Sequence, residues 1–120
     1  MNKEIRVYIA SPYTLGYGPT MVNLQIVTAD KLIDEGYIPY TPVLAHFQEI
    51  YKPRSEYDWL KIDFCFLKCC DALIRLFPLD ENGKEIPSNG ADQEEALANE
   101  NNIPVFYSIE ELNNYFEADN

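Results

Sequence analysis

Positive charge is scarce in this chain: nine lysines and arginines stand against twenty aspartates and glutamates, a formal net charge of −11. Nucleic-acid polymers and anionic membranes would repel so acidic a protein at long range, so neither is expected as a partner. A small ligand is decided by local contacts instead. Long apolar runs are missing as well. None approaches a membrane span, and the opening Met1-Asn2-Lys3-Glu4 lacks a secretory pattern, so a cytoplasmic setting is expected. Cysteine is sparse and odd in number: Cys65, Cys69 and Cys70 share one segment, with no second cluster to pair with. That argues against a disulfide framework or a zinc site and suits small buried thiols in a reducing compartment. His46 is the single histidine, and no group of metal-ligating residues stands out. No metal or cofactor is expected.

Apolar residues, by contrast, are plentiful at 47% of 120 residues, enough for one domain over 1–120 with a substantial core. Residues 5–10, Ile-Arg-Val-Tyr-Ile-Ala, form a strand of the buried type. Thr20 caps a helix that runs through Val22, Ile26, Ala29, Leu32 and Ile33 to a stop at Gly36. Residues 37–41 make a short strand, which Pro39 and Pro42 confine to a sheet edge. An irregular, aromatic-bearing connection over 43–54 precedes a helix from about Ser55 to Cys70 and a strand over 72–77. A helix opened by a turn at Gly90 leads to a strand over 103–107, and Ser108-Ile-Glu-Glu111 has capping-box spacing before a last helix. Such alternation predicts an α/β domain with helices on both faces of a parallel sheet. The expected strand order is 2-1-3-4, which places a ligand crevice between strands 1 and 3.

Two carboxylates fall where apolar residues should be. Glu94 lies one turn after Ala91 and one turn before Leu97 and Ala98, on the stripe that should face the protein. An inward carboxylate is costly unless it is paired or used. Asp63 shares a stripe with Trp59, Phe66, Leu67 and Cys70. Taken alone it reads as a buried aspartate satisfied by a cap or a cation; together with Glu94 it points to acid–base or nucleophilic work. Glu95 lies at the stripe's boundary and reads as a solvated or rim residue. Strand 1 ends in Tyr8-Ile9-Ala10-Ser11-Pro12-Tyr13, followed by Thr14, Gly16, Tyr17, Gly18 and Pro19. That loop suits either closure over a flat ligand or an ordinary turn with half-buried tyrosines. His46 either contacts a ligand from the loop facing the crevice or is a structural histidine bonded to backbone. Residues 78–87 form a polar loop, either a lid or an unstructured segment.

Three elements in order, residues 7–13, Asp63 eight residues before Asp71-Ala-Leu-Ile, and Ser88-x-Gly90-Ala91-x-x-Glu94-x-x-x-Ala98, resemble the nucleoside 2-deoxyribosyltransferase superfamily. That superfamily includes the 2′-deoxynucleoside 5′-phosphate N-hydrolases. The resemblance implies a flavodoxin-like three-layer sandwich and cleavage of an N-glycosidic bond through a covalent glycosyl-enzyme. It implies Glu94 as nucleophile, Tyr8 as the hydroxyl that hydrogen-bonds it and Asp63 as the acid that meets the departing base. Tyr13 falls beside the base, and Ser88 heads the nucleophile helix, where the phosphate hydrolases touch a 5′-phosphate. Ser11, Pro12 and Gly90, in the same motifs, complete the expected substrate contacts. The resemblance also implies a homodimer or larger homo-oligomer, with Asn113, Asn114 and residues 117–120 available to complete a neighbour's pocket. No basic residue occurs over 11–19, so an uncharged nucleoside is expected in preference to a monophosphate. Transfer to a base, transfer to water and a catalytically silent nucleotide-binding module all remain open on these residues.

Overall fold

Val7, Tyr8 and Ile9 are wholly buried on both faces of one strand, which only a central position in a sheet allows. The structure, a computed structural model, describes residues 4–12 and 18–117 apart from the side chains at 18, 19 and 46. Strand β1 (Arg6–Ala10) is indeed flanked on both sides. It pairs in parallel with β2 (Ile38–Tyr40) in the register Arg6↔Ile38 to Tyr8↔Tyr40. On its other side it pairs with β3 (Ala72–Arg75), Val7↔Ala72 to Ala10↔Arg75. Strand β4 (Val105–Phe106) completes the order β2-β1-β3-β4. Pro39, which has no N–H to give, sits on the edge strand β2.

Alternation along the strands divides the core in two. Val7, Ile9, Ala72 and Ile74 face one side with Ala29, Leu32 and Leu112, from helices α1 (Gly18–Asp34) and α5 (Ile109–Glu117). Tyr8, Ala10 and Leu73 face the other with Leu67, Ala91 and Ala98, from α3 (Glu56–Leu67) and α4 (Asn89–Glu100). The result is a flavodoxin-like three-layer α/β sandwich. Local chemistry fixes the helix ends. Gly36, at φ 93°, terminates the α1 turn, and Tyr37 N donates to Leu32 O at 2.9 Å. Ser55 Oγ accepts from Asp58 N at 3.1 Å, and Ser108 Oγ from Glu111 N at 3.1 Å.

Several boundaries and burials differ from the sequence reading. The first helix starts at Gly18 instead of Thr20, α3 ends at Leu67 short of Cys70, and the two later strands stop at Arg75 and Phe106. The 43–54 connection is not irregular: a 3-10 turn (Pro42–Ala45) runs into α2 (His46–Tyr51). Lys52, extended at ψ 113° as the residue before a proline prefers, then ends it. Residues 78–87 fold as a tight turn, with Leu79 bridging Glu85 and Asp80 Oδ1 accepting from the N–H groups of Asn82 and Lys84. Cys65 and Cys69 are exposed and Cys70 half-buried, so the thiols are not core packing. Phe66 and Phe77 are also exposed; Phe66 stacks on Tyr40 with ring centres 5.0 Å apart.

Candidate active site

Helix α4 carries the first candidate side chain, and its cap fixes where the stripe points. Ser88, in an extended conformation, accepts from Ala91 N at 3.0 Å through its hydroxyl and starts the helix. Gly90 lies inside the first helical turn and is not itself the turn; a Cβ there would meet Leu60 only at 4.0 Å. Ala91, Glu94 and Ala98 then bury in sequence against the sheet. Glu94 is 7% exposed, and the hydroxyl of the fully buried Tyr8 donates to its Oε2. Tyr8 is braced from behind by Tyr40, whose ring centre lies 5.5 Å away.

Glu94 opens onto a cavity of about 370 Å³ beyond the carboxyl ends of β1 and β3. Asp63 and Trp59, one turn apart on α3, form the facing wall. Ser11 and Gln25 line the side toward α1, Ser88 and Gly90 the mouth of α4, and Val43 and Glu49 the segment after β2. Four carboxylates, Glu49, Glu56, Asp63 and Glu94, line this space, and among the described residues no lysine or arginine does. Burial lifts the Glu94 carboxyl from 4.5 to about 8. The Tyr8 hydrogen bond opposes that rise, the Asp63 charge adds to it and Arg75 pulls it down. Asp63 is lifted by burial from 3.8 to about 6. Two interacting carboxyls release protons in steps that belong to the pair. Between about 6 and about 8 this pair therefore holds one proton. Burial, and then the charge of Glu94, hold Tyr8 well above the phenol range, so it stays a donor.

The structure thus brings Tyr8, Ser11, Asp63, Ser88, Gly90 and Glu94 to one cleft. Pro12 is buried and does not line it. Tyr13 lies outside the described residues, as does the rest of the 13–17 loop; so do the side chain of His46 and the tail after Glu117. Glu95 is not a solvated rim residue: it accepts from Arg75 at 3.3 Å and from the Tyr107 hydroxyl at 2.8 Å.

Three participants escaped the sequence reading. Gln25 is almost completely buried; its Nε2 donates to Ile9 O at 3.1 Å and to Ser11 Oγ at 2.8 Å. Its signal was available, because Gln25 stands three residues after Val22 and four before Ala29, a polar group on an apolar stripe. Ile26 and Ile33, assigned to that stripe, are exposed instead. Glu49 accepts from the Trp59 indole N–H and, at 3.0 Å, from Arg54 N. Nothing in its local pattern singles it out. Arg75 ends β3 at 3% exposure. Its position inside an apolar strand run is the only hint.

These features define a flavodoxin-like α/β domain with an acidic cleft at the switch point between β1 and β3. Its fold is similar to the solved structure of a 2-deoxyribosyltransferase from the psychrotolerant bacterium Bacillus psychrosaccharolyticus, described as a biocatalyst for nucleoside synthesis. The match has a TM-score of 0.51 and 20% sequence identity, and covers 83% of this chain and 69% of that one. No family model matches the sequence, and no curated protein is similar to it in sequence. Among the described residues, no helix is long and apolar enough to cross a membrane, and no group of three or more histidine, cysteine or acidic side chains is placed to hold a metal ion.

Proposed function

We propose that this chain belongs to the nucleoside 2-deoxyribosyltransferase superfamily and cleaves the N-glycosidic bond of a (deoxy)nucleoside. The observation that carries the reading is the pair of burial-raised carboxyls across one cleft, with Glu94 held by Tyr8. In the first step a Glu94 carboxylate oxygen attacks C1′ while the C1′–N bond breaks. The electron pair of that bond leaves with the base, which takes the proton from Asp63. A glycosyl ester on Glu94 results. In the second step a nitrogen of an incoming base, or water, attacks C1′. The ester C–O bond breaks back to Glu94, and the nucleophile's proton passes to Asp63. Two displacements leave the configuration at C1′ unchanged.

The singly protonated pair is the working form: one carboxyl must be ionised and the other must carry a proton. In the empty cleft the higher-titrating Glu94 holds that proton; attack on C1′ needs it on Asp63 instead, a shift that the Tyr8 hydrogen bond and the Arg75 charge at Glu94 favour. Ser88 does not supply a phosphate clamp in this reading, because its hydroxyl caps α4 and the cleft lacks a cation among the described residues. A cytoplasmic setting fits the three free thiols, and the resemblance implies a homo-oligomer, which light scattering checks.

The test is incubation with a panel of purine and pyrimidine nucleosides, deoxy and ribo, with and without a free acceptor base. Exchange of bases supports transfer, and free sugar supports hydrolysis. Tight binding with no product from any nucleoside would replace the enzyme by a silent nucleotide-binding module.

A further inference from the structure

Arg75 is a buried cation that takes no direct part in the bond-making steps above. It closes β3 at 3% exposure. Its Nη1 reaches Asp92 Oδ1 at 2.9 Å and Glu95 Oε1 at 3.3 Å, both on α4. The guanidinium carbon lies 4.5 Å from the centre of the Phe77 ring. Phe77 stacks on Tyr107 at 5.9 Å, and the Tyr107 hydroxyl donates to the other oxygen of Glu95 at 2.8 Å. Nε is buried with no hydrogen-bond partner among the described residues. Buried ion pairs are poor sources of net stability, the more so when a donor is left orphaned, so stability alone is a weak reason for this arginine.

Its placement gives a better one. Asp92 and Glu95 are three residues apart, neighbours on one flank of α4. Glu94 follows between them in the chain and points about 100° away from Glu95, toward Tyr8. We propose that Arg75 is a positioning residue for Glu94: by gripping Asp92 and Glu95 it sets the rotation of α4 against the ends of β1 and β3, so that Glu94 meets Tyr8 and faces the cleft. This rests on the reading of Glu94 as the nucleophile. A second effect comes with the first. The charged and titratable groups around Glu94 are Tyr8 from β1, with Tyr40 of β2 behind it, Asp63 from α3, Arg75 from β3, and Asp92 and Glu95 on its own helix. Arg75 is the cation of that set. Asp92, with its side chain 69% exposed, is screened by water and offsets the field of Arg75 only in part.

The experiment follows the Glu94 carboxyl by carbon NMR titration in protein labelled at glutamate, with Glu94→Gln assigning the resonance. Arg75→Met keeps the stem and removes the charge. Glu94 should then titrate higher by about one pH unit or more. Below the new midpoint kcat/KM for a deoxynucleoside with an acceptor base should fall about tenfold per unit, through kcat and not KM. Arg75→Lys should restore the titration while kcat stays reduced, because the planar fork is lost. Asp92→Asn should move the titration the opposite way, downward, by leaving Arg75 less compensated. A folded Arg75→Met protein with an unmoved Glu94 titration overturns the proposal. If Arg75→Met does not fold, Asp92→Asn decides, and an unmoved or raised titration there overturns it. Turnover surviving in Glu94→Gln, by contrast, removes the nucleophile reading and not the grip on α4.

Discussion

Replacing Glu94 with glutamine should make the empty protein more stable in mild alkali while abolishing turnover. Glu94 is 7% exposed, and burial raises its carboxyl from 4.5 to about 8. Across that interval the native protein holds a proton that the unfolded chain has already released. Stability therefore falls as pH rises, by up to about 1.4 kcal/mol per pH unit while the two states differ by one proton. Integrated to pH 8, the loss from Glu94 amounts to roughly 3–5 kcal/mol, because the shift spans 4.5 to about 8. An amide cannot ionise, and its oxygen can still accept the Tyr8 hydroxyl. The variant and the parent should thus differ by no more than ~1 kcal/mol near pH 5, where Glu94 is protonated. Near pH 8 the variant should be the more stable by a few kcal/mol. Urea unfolding at pH 5, 6.5 and 8 measures this directly, with the denaturant slope checked for constancy. Parallel stability curves for the two proteins, or a variant weaker at pH 8, would refute the claim that the fold holds this carboxyl under electrostatic duress. Activity supplies the other half. Glu94→Gln should lose several orders of magnitude in kcat at every pH, since an amide oxygen does not trap the glycosyl group.

The pH profile of kcat/KM should be bell-shaped, with limbs near 6 and near 8 that report the pair, measured by initial rates from pH 5 to 9.5. Asp63→Asn should lower the rate by about 10²–10⁴ with ordinary bases and far less with 7-methyl-2′-deoxyguanosine, whose cationic base leaves without protonation; equal losses on both would remove Asp63 as the acid. Tyr8→Phe should raise the Glu94 titration and slow turnover by roughly tenfold to a hundredfold, checked by the same profile. A matched nucleoside and 5′-monophosphate should show the nucleoside used at least as well, and Glu49→Gln with Glu56→Gln should narrow the difference. Ser88→Ala should cost about 1 kcal/mol of stability through its cap and affect both substrates modestly, whereas a monophosphate preference that vanishes in Ser88→Ala would move the site to the phosphate-hydrolase branch.

What could be read from the chain was whatever rested on periodicity. The order of strands follows from apolar segments alternating with capped helices, and the inward turn of Glu94 from its spacing to Ala91 and Ala98. What could not be read was set by tertiary partners. Arg75 looks like an exception in an apolar run until Asp92 and Glu95 arrive from a helix seventeen and twenty residues on. Glu49 belongs to the site only because the short α2 brings it to Trp59. Phe66 and Phe77, of the residue type that usually fills a core, stack instead on Tyr40 and Tyr107 at the surface, which only their tertiary partners reveal. Gln25 is legible by the same rule that points to Glu94, a polar side chain on an apolar stripe, but the exposed Ile26 next to it makes that stripe ambiguous in sequence.

The chain has one tryptophan, and it stands in the cleft wall. Trp59 shares a helix face with Asp63, and its indole N–H is spent on Glu49. Its emission therefore carries no background from other indoles, and a heterocycle entering beside it alters that emission by stacking or by displacing water. The inactive Glu94→Gln protein can accordingly be titrated with unmodified nucleosides and free bases in a plain fluorimeter, with no dye and no turnover. Occupancy of this site should thus be readable in the protein's own light, independently of any turnover.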